Sequence, residues 1–364
     1  MKEEFNLERY LSDGVENIVK NAIKASLSNP KESIFLAKYA MAAKNARKLR
    51  NAAEEKGEHI PPFLIASIAS ACNLHCTGCY ARANHSCLEQ VDSGQLTEKD
   101  WKKIFQEADE LGISFILLAG GEPLLRREIL ECAGDIPTVL FPVFTNGTLL
   151  NDNYLELFDQ KRNLIPILSI EGDEVITDQR RGAGVFRRVS ETMQRLKQKK
   201  IFYGASITVT TENIREVTSR AFLDRLYDSG CKTVIYVEYV PVTEDSKGLA
   251  PEDQEREYLA AELEKLRTEL RDMLLISFPG DEKAYGGCLA AGRGFFHINP
   301  QGGAEPCPFS PFSDTNLKET SLREALNSPL FRKLGEQKLM TGEHAGGCVL
   351  FEQQERVQAI LAGN

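Results

Sequence analysis

The chain predicts an α/β fold on a parallel sheet, and three observations carry that prediction. From Pro61 onward, six short apolar runs alternate with amphipathic helical stretches. Strands separated by helices pair in parallel through right-handed crossovers, because twisted strands and right-handed helices pack back onto one sheet only that way. At 364 residues, the chain can also bury a large core, enough for one main domain with appendages. Finally, its glycine- and cysteine-rich motifs stand at the carboxyl ends of the apolar runs, where parallel barrels gather their ligands.

Residues 1–60 read as helical. Val15, Ile18, Val19, Ala22 and Ile23 repeat at helical spacing until Ser28-Asn29-Pro30. A second helix is expected over 33–55, with Phe35, Leu36, Tyr39, Ala42, Ala43, Ala46 and Leu49 on one apolar stripe. Such a pair either packs on the main domain or extends it toward a substrate or partner. The strands follow at Phe63–Ala69, Phe115–Ala119, Thr138–Thr145, Ile165–Ile170, Ile201–Val209 and Thr233–Val240. Helices between them include Glu98–Leu111, behind a Thr97 cap, and Phe186–Lys200.

Directly after the first strand comes Ala71-Cys72-Asn73-Leu74-His75-Cys76-Thr77-Gly78-Cys79-Tyr80. Three thiolates on one loop can hold three irons of a four-iron cluster and leave the fourth to an exogenous ligand. Electron-transfer clusters normally take four cysteines. Structural zinc usually wants two short-spaced pairs, and no second pair lies nearby. Nine cysteines, an odd number without an export signal, argue against disulfides and for a reducing, cytoplasmic setting.

The loop Cys72-x-x-x-Cys76-x-x-Cys79-Tyr80 resembles the signature of the radical S-adenosylmethionine (SAM) superfamily. That resemblance spans about residues 60–350 and implies a partial (β/α)6 TIM barrel. It implies a [4Fe–4S] cluster on Cys72, Cys76 and Cys79, with SAM chelating the free iron. Reductive cleavage of SAM then yields a 5′-deoxyadenosyl radical. Gly120-Gly121-Glu122-Pro123 is similar to the family's turn facing the SAM amino group, and Tyr80 is the usual aromatic after the last cysteine. Ser169 and Arg181 match a pair that, in the sulfatase-maturase-like branch, reaches the SAM ribose and carboxylate. Arg180 is the alternative to Arg181. Thr145-Asn146-Gly147 is either a plain turn or a further contact. Thr208, Glu238 and Tyr239 stand where barrel strands reach the cavity.

A charged helix expected over 252–273, with Leu259, Leu263, Leu266 and Leu270 inward, leads to the last segment. There Cys288, Cys307 and Cys348 resemble the auxiliary-cluster extension called SPASM in full form and Twitch in shortened form. A hairpin around 300–304 would join Cys288 to Cys307, and Cys348 opens a helix expected over 349–361, a position favourable to a thiolate. Three ligands imply one auxiliary Fe–S cluster, read as [4Fe–4S]. Its fourth ligand is open among His344, Glu352, Cys87 and the substrate, and a zinc site of three cysteines and a histidine is the alternative. Cys132 and Cys231 read as core residues. The expected organisation is therefore a helical extension at 1–60, a barrel at 61–275 and a Twitch-like segment at 276–364.

The function implied is a radical SAM oxidoreductase or modifying enzyme. It would abstract hydrogen from a peptide or small-molecule substrate, and the auxiliary cluster would accept an electron or bind that substrate. Peptide-modifying relatives often carry a winged-helix recognition module at the N-terminus, and residues 1–60 show no strand signal for one. A reductant such as flavodoxin or ferredoxin is implied as partner. Cys87, Glu238 and His297 are open choices for a hydrogen donor or base. A net charge of −9 with mixed signs disfavours nucleic acid or an anionic membrane surface as partner. No run approaches the ~20 apolar residues of a membrane span. The reading from another class is a zinc- or iron-binding scaffold or regulatory protein without SAM chemistry.

Overall fold

Parallel pairing runs unbroken across seven strands in the computed structural model, which describes residues 30–242, 244–337, 339–340 and 348–363. These are β1 (Phe63–Ala69), β2 (Phe115–Gly120), β3 (Phe141–Thr145), β4 (Leu164–Ser169), β5 (Gly204–Val209), β6 (Thr233–Glu238) and β7 (Leu274–Phe278). Two short strands, β8 (His297–Ile298) and β9 (Ala304–Glu305), complete a nine-stranded sheet of order β7-β6-β5-β4-β3-β2-β1-β8-β9. The six expected strands are all present, and the α/β partial barrel is the observed architecture.

Two additions go beyond expectation. β7 pairs in parallel with β6 and crosses the expected boundary at 275. It was missed because its four apolar residues and one serine follow closely on a leucine-lined helix, Asp253–Glu269, and blur into its pattern. β8 pairs in parallel with β1 and antiparallel with β9. The hairpin expected near 300–304 thus also covers the outer edge of β1, where Ile65 N donates to Phe296 O at 3.0 Å.

The helix Pro30–Glu54 begins at a proline, which suits a first helical turn because its missing N–H has no partner there anyway. It lies on the main domain. Tyr39 is fully buried among Leu140, Ile165 and Ile167, and its hydroxyl donates to Ser114 O at 2.8 Å. Glu32 and Arg162, both buried, pair at 2.9 Å. Leu49, expected on the buried stripe, is instead 49% exposed. The expected helix over 15–28 lies outside the described residues. The helix Glu98–Leu111 has a reciprocal cap between Thr97 and Asp100. The helix expected over 349–361 is broken in two, Val349–Glu352 and Gln354–Leu361.

Candidate functional site

Nine side chains or glycines singled out from the sequence line one cavity of about 240 Å³ at the carboxyl ends of the strands. They are Cys72, Cys76, Cys79, Tyr80, Gly120, Gly121, Glu122, Ser169 and Arg181; Arg180, Asn146, Thr208, Glu238 and Tyr239 join them.

The two glycines are required by backbone proximity. Gly121 N and Glu122 N donate to Ala69 O and Ala71 O at 2.8 and 2.9 Å, clamping the turn to the strand that enters the cysteine loop. A Cβ on Gly121 would stand 2.0 Å from Ala71 O, and one on Gly120, at φ +117°, 2.6 Å from Ala69 O. Any side chain there would push the cysteine loop away.

The fully buried Glu122 holds the next turn. Its Oε1 accepts from Thr145 Oγ1 at 2.6 Å and Leu124 N at 3.0 Å, and its Oε2 accepts from Asn146 N at 2.8 Å. Burial pushes its carboxyl upward, with these donors and Arg181 pulling the other way. Asn146 then donates to Asn73 Oδ1 at 2.9 Å and approaches Cys72 Sγ at 3.9 Å.

Sequence reasoning missed Glu171, which is 0% exposed. Its carboxylate pairs with both Arg180 and Arg181, Arg181 NH2 standing 2.5 Å away, and its Oε2 accepts from Thr208 N at 2.9 Å. The signal was present in Ser169-Ile170-Glu171-Gly172, a carboxylate one step past a strand end. Arg181 reaches on to Cys76 Sγ at 4.0 Å. Burial works against its charge, but Glu171, Cys76 and Cys79 outweigh it and hold the guanidinium more firmly protonated. Burial also pushes the Cys72 thiol up to about 12, and raises Cys76 against the pull of Arg181 and Arg180.

This donor set fits an iron–sulfur cluster. Three half-buried thiols share a loop, Leu74 N donates to Cys72 Sγ at 3.5 Å, and Arg181 lies beside Cys76. Hydrogen bonds and charge of this kind tune cluster sulfurs. Among the described residues no three His, Cys, Asp or Glu side chains converge as a set for a single metal ion. A cluster binds each cysteine at a different iron, so convergence on one point is not required of it.

The second triplet lines a cavity of about 20 Å³. Cys288, Cys307 and Cys348 meet there, with Cys307 and Cys348 in hydrogen-bond contact. The donors suit a cluster, and the close-packed walls must dilate to admit one. Glu238, Val240, Phe278 and Phe309 line both cavities. Glu238 is buried, with Arg256 Nε donating to its Oε1 at 2.8 Å. Tyr80 stacks edge-on against Phe309 with centroids 5.0 Å apart, so the first loop touches the auxiliary segment.

Of the fourth-ligand choices, Cys87 lies beside Cys72, Cys76 and Cys79 instead. Glu352 is exposed and does not line the auxiliary cavity, and His344 lies outside the described residues. Sequence reasoning missed Glu282, which does line it and is 3% exposed; burial pushes its carboxyl up to about 8. His297 is buried in a chain linking Ser67 Oγ (2.7 Å) and Glu305 (2.7 Å) across β1, β8 and β9. It lines neither cavity. Cys132 and Cys231 are buried away from both sites, as core residues.

The Radical SAM superfamily is matched over residues 67–223. An AdoMet-dependent heme synthase of Methanosarcina barkeri is 26% identical over 310 residues, covering 78% of this chain and 87% of the relative. A serine-type anaerobic sulfatase-maturating enzyme of Klebsiella aerogenes is 27% identical over 223 residues, covering 57% and 53% respectively. Streptococcus suis SuiB, solved bound to S-adenosylmethionine, superposes with a TM-score of 0.67 at 17% identity, over 84% of this chain and 77% of that one. The superfamily works with a [4Fe–4S] cluster and SAM, and its maturase-type members imply auxiliary clusters as well.

Proposed function

We propose that this chain, a radical SAM enzyme related to the maturases, places its first cluster on Cys72, Cys76 and Cys79 and seats SAM with Gly120, Gly121, Glu122, Ser169 and Arg181. The observation that carries this assignment is the convergence of these residues, from the ends of β1, β2 and β4 and the helix that follows β4, on one cavity. When bound, the cluster and SAM supply a 5′-deoxyadenosyl radical that abstracts hydrogen from the substrate.

The protein's own part is to orient and to exclude water. Glu122 Oε2 takes one N–H and retains capacity for an ammonium donor. Arg181, steadied by Glu171, offers a fixed fork to a carboxylate. Leu117, Phe144 and Val237 give the cavity apolar walls, which suit an uncharged C–H presented for abstraction. The auxiliary site on Cys288, Cys307 and Cys348 shares four wall residues with this cavity. That common wall supports a net oxidation, for which a cluster held by Cys288, Cys307 and Cys348 would supply an electron acceptor beside the substrate cavity.

A small-molecule substrate is the first reading, since the match to the heme synthase extends over 87% of that relative and the match to the sulfatase-maturating enzyme over 53%. A peptide substrate is the second, supported by the fold shared with SuiB, which has also been solved bound to its precursor peptide. A flavodoxin or ferredoxin would supply the electron, in the cytoplasm, with neither nucleic acid nor membrane as partner. Among the described residues no helix is long and apolar enough to cross a membrane.

Anaerobic reconstitution, iron counting and incubation with SAM and dithionite test the assignment. Wild type should release 5′-deoxyadenosine and Cys76→Ala should not. Zinc without iron, or no 5′-deoxyadenosine above background, would overturn it.

A further inference from the structure

The auxiliary cavity is enclosed by more than thiols. Cys288, Cys307 and Cys348 share its lining with two carboxylates, Glu238 and Glu282. Glu238 is committed elsewhere, its Oε1 held by Arg256 Nε at 2.8 Å. Glu282 is different. It is 3% exposed, and the hydrogen bond it receives, from Leu289 N to Oε1, is long at 3.3 Å. The Arg293 guanidinium gives its Nη1 to the carbonyls of Cys288 and Met340, and its charge pulls the Glu282 carboxyl down against the larger push of burial.

The backbone brings Glu282 and Cys288 together. Gly287 N donates to Glu282 O at 3.3 Å, closing the loop that carries both, and the two side chains then face one space. Among the described residues no ion pair is formed by Glu282, and a buried carboxyl of that kind either keeps its proton or meets a cation. Three thiolates supply no cation, whereas an iron–sulfur cluster does, and carboxylate oxygen is an ordinary ligand for iron.

We propose that Glu282 is the fourth protein ligand of the auxiliary cluster, giving a three-cysteine, one-glutamate site with no iron left open. This rests on the reading that the triplet holds a cluster, and it deepens that reading. A cluster ligated at every iron passes electrons and does not bind substrate through iron.

The test uses the full-length chain carrying Cys72→Ala, Cys76→Ala and Cys79→Ala, so that only the auxiliary cluster is loaded. After anaerobic reconstitution and reduction, its EPR spectrum should not shift when cyanide is added. With Glu282→Ala or the isosteric Glu282→Gln, the spectrum should shift with cyanide. Mild oxidation of those variants should also lower the iron content from about four to about three per chain, as a cluster sheds an iron without a protein ligand. Glu282→Cys should restore both the cyanide resistance and the fourth iron. If Glu282 alters the wild-type fold too far, Mössbauer spectra of the triple variant alone decide, since an oxygen-ligated iron differs in isomer shift from its thiolate-bound neighbours. A parent that already shifts with cyanide, or a Glu282→Gln variant that behaves as the parent does, overturns the glutamate assignment. Zinc with no iron in the triple variant overturns the cluster reading beneath it, independently of whether the wild type cleaves SAM.

Discussion

Cys72, Cys76 and Cys79 fall within one short loop, whereas Cys288, Cys307 and Cys348 come from three separate places in the chain. The first three are half-buried and line one cavity together with Arg181. Of the second three, Cys288 and Cys307 are buried and Cys348 half-buried, packed with Phe295 and Phe309. The contrast teaches where each site's order originates. The first triplet has its spacing set locally, and the turns after the neighbouring strands then clamp the loop in place. The second exists only where three segments far apart in the chain bring Cys288, Cys307 and Cys348 to one cavity. One is a motif and the other a product of the tertiary structure.

The sharpest way to break that contrast is to empty each triplet separately. Cys76→Ala should abolish 5′-deoxyadenosine formation and leave the auxiliary iron. Cys307→Ala should remove about half of the iron, stop substrate turnover and leave SAM cleavage in place. Iron analysis with chromatographic assay of 5′-deoxyadenosine reads both, and loss of all iron from either variant would show that the two sites are one cooperative unit.

Next in size is Glu171→Ala. It leaves Arg180 and Arg181 without their shared buried partner, at a cost of about 3–5 kcal/mol in stability and roughly a 10–100-fold loss in SAM affinity. Denaturant unfolding and isothermal titration with SAM measure the two. Unchanged affinity would mean that Arg181 does not face SAM.

A smaller effect is expected of Gly121→Ala. The new methyl meets Ala71 O and should cost about 1–3 kcal/mol, with distortion confined to the first cluster's EPR spectrum. An altered auxiliary spectrum would contradict the local origin of the first site. Smallest is Asn146→Ala, which removes the bonds to Asn73 and Cys72 for about 1 kcal/mol, seen as a modest fall in melting temperature and a slight shift of the first cluster's potential.

These differences also explain what the sequence disclosed. Six strands were readable because β/α alternation is a local pattern. The residues that line the first cavity were readable because the cysteine spacing and the Gly-Gly-Glu turn each lie within a few residues. β7 was not, being a short edge strand behind a leucine-rich helix. Glu171 and Glu282 were not, since nothing about a glutamate in sequence says that it will be buried. Their meaning comes from Arg180 and Arg181 in one case and from three distant cysteines in the other.

The placement of β8 has a consequence for biogenesis. β1 ends at Ala69, yet the strand that covers its outer edge ends only at Ile298. At roughly 5–20 residues per second, synthesis leaves that edge bare for about 10–50 s. Throughout that interval the thiol loop is already made, and an uncovered apolar strand invites pairing with a neighbouring nascent chain. Premature termination before β8 would therefore leave a polypeptide that carries the full cysteine loop but exposes the edge of β1 and is prone to clump.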